Sequence, residues 1–272
     1  MKPSINSLIL ITSLSTNTVL AAQWQSLFNG KDLSGWNASL IKNAQPGDKA
    51  EDYFVVKNGV IHVYAGKPHG SQQAFAAITT KQRFKNYHLS LEYKWGEAKF
   101  EPRLNLLKDA GLLYHVHGKG KPAWPLSMES QIQQGESGDA YAIGTQMSAW
   151  LKPNSLVINP KGTVTYYEYN PYYPVQDFLP IGKPDKITRI KQVNDAEIDG
   201  WNTMEIIVRE DQAIHIVNGV VNMRIGNFKK WDYQNRHWQP LTEGKILLQA
   251  EGAEVFYRNI KIKTLNEVET KY

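Results

Sequence analysis

Residues 213–225 read AIHIVNGVVNMRI, two strand-like runs on either side of Asn218-Gly219. An Asn-Gly pair in that position favours a tight type I′ hairpin turn, because both central residues take positive φ. Lys57-Asn58-Gly59 repeats the arrangement between Phe54 to Val56 and Val60 to Tyr64. Working outward, similar short runs occur at Tyr87 to Lys94, Gly111 to His117, Ser127 to Gln133, Thr163 to Tyr169, Thr203 to Arg209, Lys245 to Ala250 and Val255 to Ile262. Gly, Asn, Asp or Pro bounds each of them, as expected of half-buried antiparallel strands. No long helical periodicity competes, so the expected fold is all-β, a sandwich of two packed sheets.

The chain opens with Lys2, an apolar and hydroxylated run from Leu8 to Leu20, and then Ala21 and Ala22. That layout reads as a signal peptide over residues 1–22 and a periplasmic or secreted location for the rest. Residues 23–272 are expected to form a single domain, and no stretch is long enough for a transmembrane helix. With no cysteine, stability has to come from an ordinary core rather than disulfides. The net charge of +5 comes from basic residues scattered among acids, which argues against nucleic acid as a partner. Eight Trp and fourteen Tyr provide flat faces of the kind that sugar rings stack on, although most such residues belong to cores. Nothing in the sequence sets the oligomeric state.

One segment breaks the strand rhythm. From Tyr166 to Lys186 the chain reads YYEYNPYYPVQDFLPIGKPDK, with four prolines and six aromatic residues, and it is expected to be a loop, one that caps a site in preference to packing on itself as an Ω-loop.

Several blocks carry a resemblance. They are WQSLFNGKDLSGW from Trp24, DAGLLYHVHG from Asp109, SMESQIQQGESGDAYAIGT from Ser127, DGWNTMEIIV from Asp199, IHIVNGVVN from Ile214 and GKILLQAEGAEVFYRNIKI from Gly244. In order and over most of the mature chain, they resemble the 3-keto-disaccharide hydrolase domain family. The resemblance implies a concanavalin A-like jelly roll of two antiparallel sheets, with an oxidised disaccharide or glycoside as the partner on the concave sheet.

Strand alternation then selects the site residues. His115 and His117 share a face with Leu113; Glu129, Gln131 and Gln133 share one on the next run; Gln249 and Glu251 share one near the C-terminus. Laminarinase-like relatives carry an E-x-D-x-E type strand that supplies the two carboxylates of retaining hydrolysis. Here amides follow Glu129, so that route is disfavoured. The substrate class that the resemblance implies offers another. A ketone at C3 acidifies the C2 proton, and the glycosidic oxygen on C1 can leave by elimination, after which water can add.

In that scheme the catalytic residues are His115, as base or metal ligand, and Glu129, as second ligand or proton carrier. The same pair is the donor set for a divalent ion acting as Lewis acid, the one cofactor considered. Substrate binding is assigned to His117, Gln131, Gln133, Trp124, Asp139, Gln249, Glu251 and Arg258. Alternatives stand beside three of these: Trp124 as loop packing, Asp139 as a turn residue, and Arg258 as the ion-pair partner of Glu251 or Glu254. The competing function is a carbohydrate-binding module without chemistry.

Overall fold

The computed structural model describes residues 23–120, 124–158, 164–172 and 178–266; the leader reading falls outside these residues. They form a sandwich of two sheets, antiparallel apart from one pair, with a single 3-10 turn at Ala50–Tyr53 and no α-helix. The expected all-β jelly-roll architecture is what the chain adopts. Among the described residues no helix is long and apolar enough to cross a membrane.

The first sheet runs, in spatial order, β11 (Val157–Ile158), β12 (Val164–Glu168), β14 (Ile187–Lys191), β9 (Ala140–Ile143), β8 (Leu126–Gln133), β7 (Asp109–Gly118), β19 (Lys245–Ala250), β5 (Phe75–Thr80) and β2 (Trp36–Lys42). Its β12–β14 pair is the parallel one. The second runs β13 (Phe178–Ile181), β10 (Thr145–Trp150), β17 (Val220–Asp232), β16 (Gln212–Val217), β15 (Asn202–Arg209), β6 (Tyr87–Lys99), β20 (Ala253–Thr264), β4 (Val60–Val63) and β3 (Phe54–Lys57), with β1 (Trp24–Ser26) on β20 and β18 (His237–Pro240) on β17. Both Asn-Gly hairpins form as expected: Asn58 and Gly59 have φ of 51° and 76°, Asn218 and Gly219 49° and 79°.

The segment expected to be a loop is only partly one. Tyr166 to Glu168 continues β12 and Phe178–Ile181 forms β13, while residues 173–177 lie outside the described residues. The prolines interrupt the run without preventing pairing, because β13 is an edge strand, where a missing N–H costs no ladder bond.

Between the sheets lies a core rich in tyrosine, with Tyr64, Tyr93, Tyr114 and Tyr257 all fully buried. Each such ring adds about 1.5–3 kcal/mol of apolar burial, provided its hydroxyl finds a partner. Tyr257 donates to the Gln249 carbonyl at 3.2 Å and Tyr93 to Ser137 Oγ at 2.9 Å. The Tyr114 hydroxyl lies 3.0 Å from His215 Nε2. Two of these bonds tie the core to strand β19 and to the turn after β8, which carry part of the site described next.

Candidate active site

Inner-face residues of β7, β8, β9 and β19, namely Leu112, Met128, Ala142 and Leu248, are buried in the core, so their neighbours face outward. Cross-strand register sets the outward residues in rows. Tyr141, Glu129, Leu113 and Leu247 are successive partners; Gln131 faces Gly111, and Gln133 faces Asp109. Over these rows lies a cavity of about 200 Å³, lined by Glu129, Gln131, Gln133, Gln249, Glu251 and Trp124 among the residues expected from sequence. Arg103, Asp109, Tyr141, Ile143 and Ile187 complete its walls.

Gly111 is the floor. A Cβ there would stand 2.0 Å from Gln249 Oε1 and 2.1 Å from Glu129 Oε1, so those two side chains converge directly above Gly111, in space that a methyl group would contest. Glu129 is only 5% exposed, yet no hydrogen bond or ion pair from the described residues holds its carboxyl. Its neighbours are different. Arg103 pairs with Asp109 through Nη2 and with Glu251 through Nη1 at 3.5 Å. Gln131 Nε2 donates to Asp109 Oδ1 at 3.1 Å and to Gln133 Oε1 at 3.0 Å, and Gln133 in turn donates to Glu136 at 2.9 Å.

Two of the three cleft carboxyls thus share one guanidinium, and Glu129 stands outside the pair. Burial pushes Asp109 up to about 7 against the opposing charge of Arg103. Burial, then the nearby Asp109 charge, raises Glu251. The same two causes carry Glu129 well above the ordinary carboxylate range, with Arg189 opposing. Glu129 has no cation paired with it, so nothing close by offsets the burial that favours its neutral form. Burial likewise holds the Tyr141 phenol in its protonated form, an available donor beside Glu129.

Unpaired acceptors add a second feature. Gln131 Oε1 and Gln249 Oε1 are buried with no donor, and Arg103 Nε is a buried donor with no acceptor. Buried polar atoms left alone are costly, and a ligand rich in hydroxyls supplies what they lack.

Four residues expected at the site stand elsewhere. His115 was placed beside Leu113 by alternation, but the pairing slips after Tyr114, and His115 sits at φ 51° in a bulge. The bulge reverses the phase: Val116 joins Leu113 on the outer face, while His115 is fully buried with its ring 5.9 Å from Phe228 of the opposite sheet. Its Nε2 donates to the Glu210 carbonyl at 3.0 Å, and burial pushes the imidazole down to about 4. Gly244 seals the bulge, since a Cβ there would lie 2.3 Å from the His115 backbone.

His117 donates from Nδ1 to the His115 carbonyl at 2.9 Å and does not line the cleft. Asp139 is buried behind the cleft, accepting from Arg189 Nε at 2.6 Å and from the Gln192 amide at 2.8 Å. It holds Arg189 over the Tyr141 ring, 5.5 Å away, and so acts on the site through two other side chains. Arg258 lies on the outer face of the other sheet, bonded to Glu92 at 2.7 Å rather than to Glu251 or Glu254.

The donor pair His115 and Glu129 does not fit a metal ion, since the imidazole turns into the sandwich and the carboxyl into the cleft. Among the described residues no group of three or more His, Asp or Glu is spaced to hold one.

Of the residues sequence reasoning missed, Asp109 had a signal: it is two positions before Gly111 on the same strand face. Tyr141 alternates with Ala140 and Ala142 in the same way. Arg103 comes from a loop after β6 and had none. Further carboxyls reach the cleft from β7, as Asp109, and from just past the end of β19, as Glu251, though both are committed to Arg103.

Residues 23–263 match the family model of the 3-keto-alpha-glucoside-1,2-lyase-like domain. No curated protein matches the chain. Among solved structures, two candidate glycosyl hydrolases of Parabacteroides distasonis ATCC 8503 are similar. One is 20% identical with a TM-score of 0.46, covering 89% of this chain and 94% of its own. The other is 19% identical with a TM-score of 0.48, covering 89% and 100%. The carbohydrate-binding module CBM66 of Bacillus subtilis is 7% identical with a TM-score of 0.45, over 85% of this chain and 96% of that one.

Proposed function

The chain belongs to the 3-keto-alpha-glucoside-1,2-lyase-like domain family, and we propose that it cleaves 3-keto-glucosides by elimination across C1 and C2, with Glu129 as the base. The observation that carries this reading is the Glu129 carboxyl, buried and unpaired above Gly111 while the other two cleft carboxyls, Asp109 and Glu251, are tied to Arg103.

Glu129, once ionised, removes the C2 proton. The electron pair passes into the C3 carbonyl as an enolate, returns to form the C1=C2 double bond, and expels the C1 oxygen, which leaves as an alcohol after gaining a proton. A carboxyl with a raised pKa suits this step because it is a stronger base than an ordinary carboxylate. The Tyr141 hydroxyl and Arg103 Nε are the donors available for enolate or leaving-group oxygen. Water adding across the double bond would complete a net hydrolysis. If the leader is removed on export, the reaction takes place outside the cytoplasm.

A binding module without chemistry is the second reading. An unpaired, nearly buried carboxyl argues against it, because a site that only binds gains nothing from a group so costly to ionise.

The test is to incubate the protein with a disaccharide and with its 3-keto derivative, following release of the alcohol and enone absorbance. Cleavage of the oxidised substrate alone, slowed by deuterium at C2, is the expected outcome. Equal cleavage of the unoxidised sugar, or binding with no turnover, would overturn the proposal.

A further inference from the structure

The cleft has two chemically different ends, and Glu129 stands between them. On the side of Asp109 and Glu251 the walls are charged or amide-bearing. On the other side Ile143 and Ile187 line the cavity directly. Beneath them Leu113, Leu247, Val116 and Ala77 form a buried apolar cluster, separate from the core, with Trp124 and Tyr141 packed against it.

This cluster lies on the outer face of its sheet, where alternation ordinarily places polar side chains against water. Trp124 stacks on Phe75 at 5.9 Å and 20°, so its indole is held as a wall. Ile143 and Ile187 offer no hydrogen-bonding side-chain atom. Hydroxyls pressed against them would give up water and gain nothing, whereas an apolar ring would gain by burial.

Resting on the elimination reading above, we propose that the group expelled from C1 is an apolar or aromatic aglycone rather than a second sugar, seated against Ile143, Ile187 and Trp124. The keto-sugar ring then occupies the polar end, where its hydroxyls meet the unpaired oxygens of Gln131 and Gln249. The C2 proton passes to Glu129, the C1–O bond breaks, and the aglycone leaves as an alcohol or phenol while the ketone is retained.

The test compares cyclohexyl 3-keto-glucoside with a 3-keto-disaccharide, and because a sugar hydroxyl is the more acidic leaving group, each kcat/KM is taken relative to the rate of uncatalysed elimination of the same compound. We expect kcat/KM for the cyclohexyl compound to be higher by roughly tenfold or more. Ile187→Asn, at a half-buried position, should bring the ratio close to one; Ile143→Asn is a second route to the same result. A wild-type ratio of one or below, or a ratio unmoved by Ile187→Asn in a folded protein, overturns the aglycone assignment and leaves Glu129 in place. Turnover of neither compound sinks the elimination reading itself.

Discussion

The two sheets display charged and aromatic residues on their outer faces in opposite ways. On the second sheet several ionisable side chains have close partners: His88 with Glu205 at 2.7 Å, His62 with Glu254 at 2.6 Å, and Arg258 with Glu92 at 2.7 Å. Arg258 also lies 3.8 Å over the Trp201 ring. On the first sheet the charges are drawn into a recess, where two carboxyls share one guanidinium, a third has no partner and two amide oxygens have no donor. Charges that are satisfied at a half-exposed surface hold a sheet face in water. Charges left unsatisfied in a recess destabilise the free protein and are relieved by whatever fills the recess, which marks the first sheet as the working face.

The hardest blow to that contrast is Glu129→Gln. It keeps the shape of the side chain and removes the base, so kcat on a 3-keto-glucoside should fall by about 10²–10⁴-fold. The unfolding midpoint should hold or rise, because a carboxyl with no partner is being taken out of a buried position. The wild-type pH profile carries the same information. Glu129 has to lose its proton to act, and its pKa is raised, so kcat/KM should climb with pH along a limb displaced above the usual carboxylate range. A limb near the ordinary glutamic acid value, or full activity in the amide variant, would show that the lone carboxyl is not the base.

Gly111→Ala sharpens the contrast at smaller scale. The added methyl meets the ends of two flexible side chains, Glu129 and Gln249, and no backbone. Those side chains can swing aside at little cost to stability but cannot then keep their geometry. Activity should drop about tenfold or more, with thermal unfolding displaced by only a few degrees. Loss of the fold together with activity would instead make Gly111 a packing residue.

How much of this could be read from sequence follows from the backbone. Along β8 and β19 the period of two is unbroken, so Glu129, Gln131, Gln133, Gln249 and Glu251 fall on the expected face and line one cleft. Along β7 the same rule fails at His115, because one residue at positive φ adds a step and sends the imidazole inward. Asn or Gly would have signalled that bulge; histidine does not. Both Asn-Gly hairpins were legible because their turn chemistry is local. Arg103 was not, since its place beside Asp109 and Glu251 depends on a loop returning over strands remote in sequence. Arg258 reads from sequence as a substrate-binding residue or as the partner of Glu251 or Glu254, yet the register of β20 on β6 sets it against Glu92.

The smallest effect belongs to the paired face, and it tests the comparison from the other side. Burial alone would raise the Glu92 pKa, but hydrogen bonds from Asn259 and Arg258 outweigh it and hold the carboxyl below its usual range. Glu92→Gln should therefore leave kcat and KM unchanged and cost no more than about 1 kcal/mol, the scale of a half-exposed pair. The sign with pH is fixed. A depressed folded pKa means that the native state binds fewer protons than the unfolded chain near pH 4, so this contribution is present above that range and fades as the pH falls through the folded value. Urea unfolding of wild type and variant at neutral pH and at pH 3 should show a small gap that closes on acidification. A gap of several kcal/mol, or a change in turnover, would mean that the second sheet's outer face takes part in the function after all.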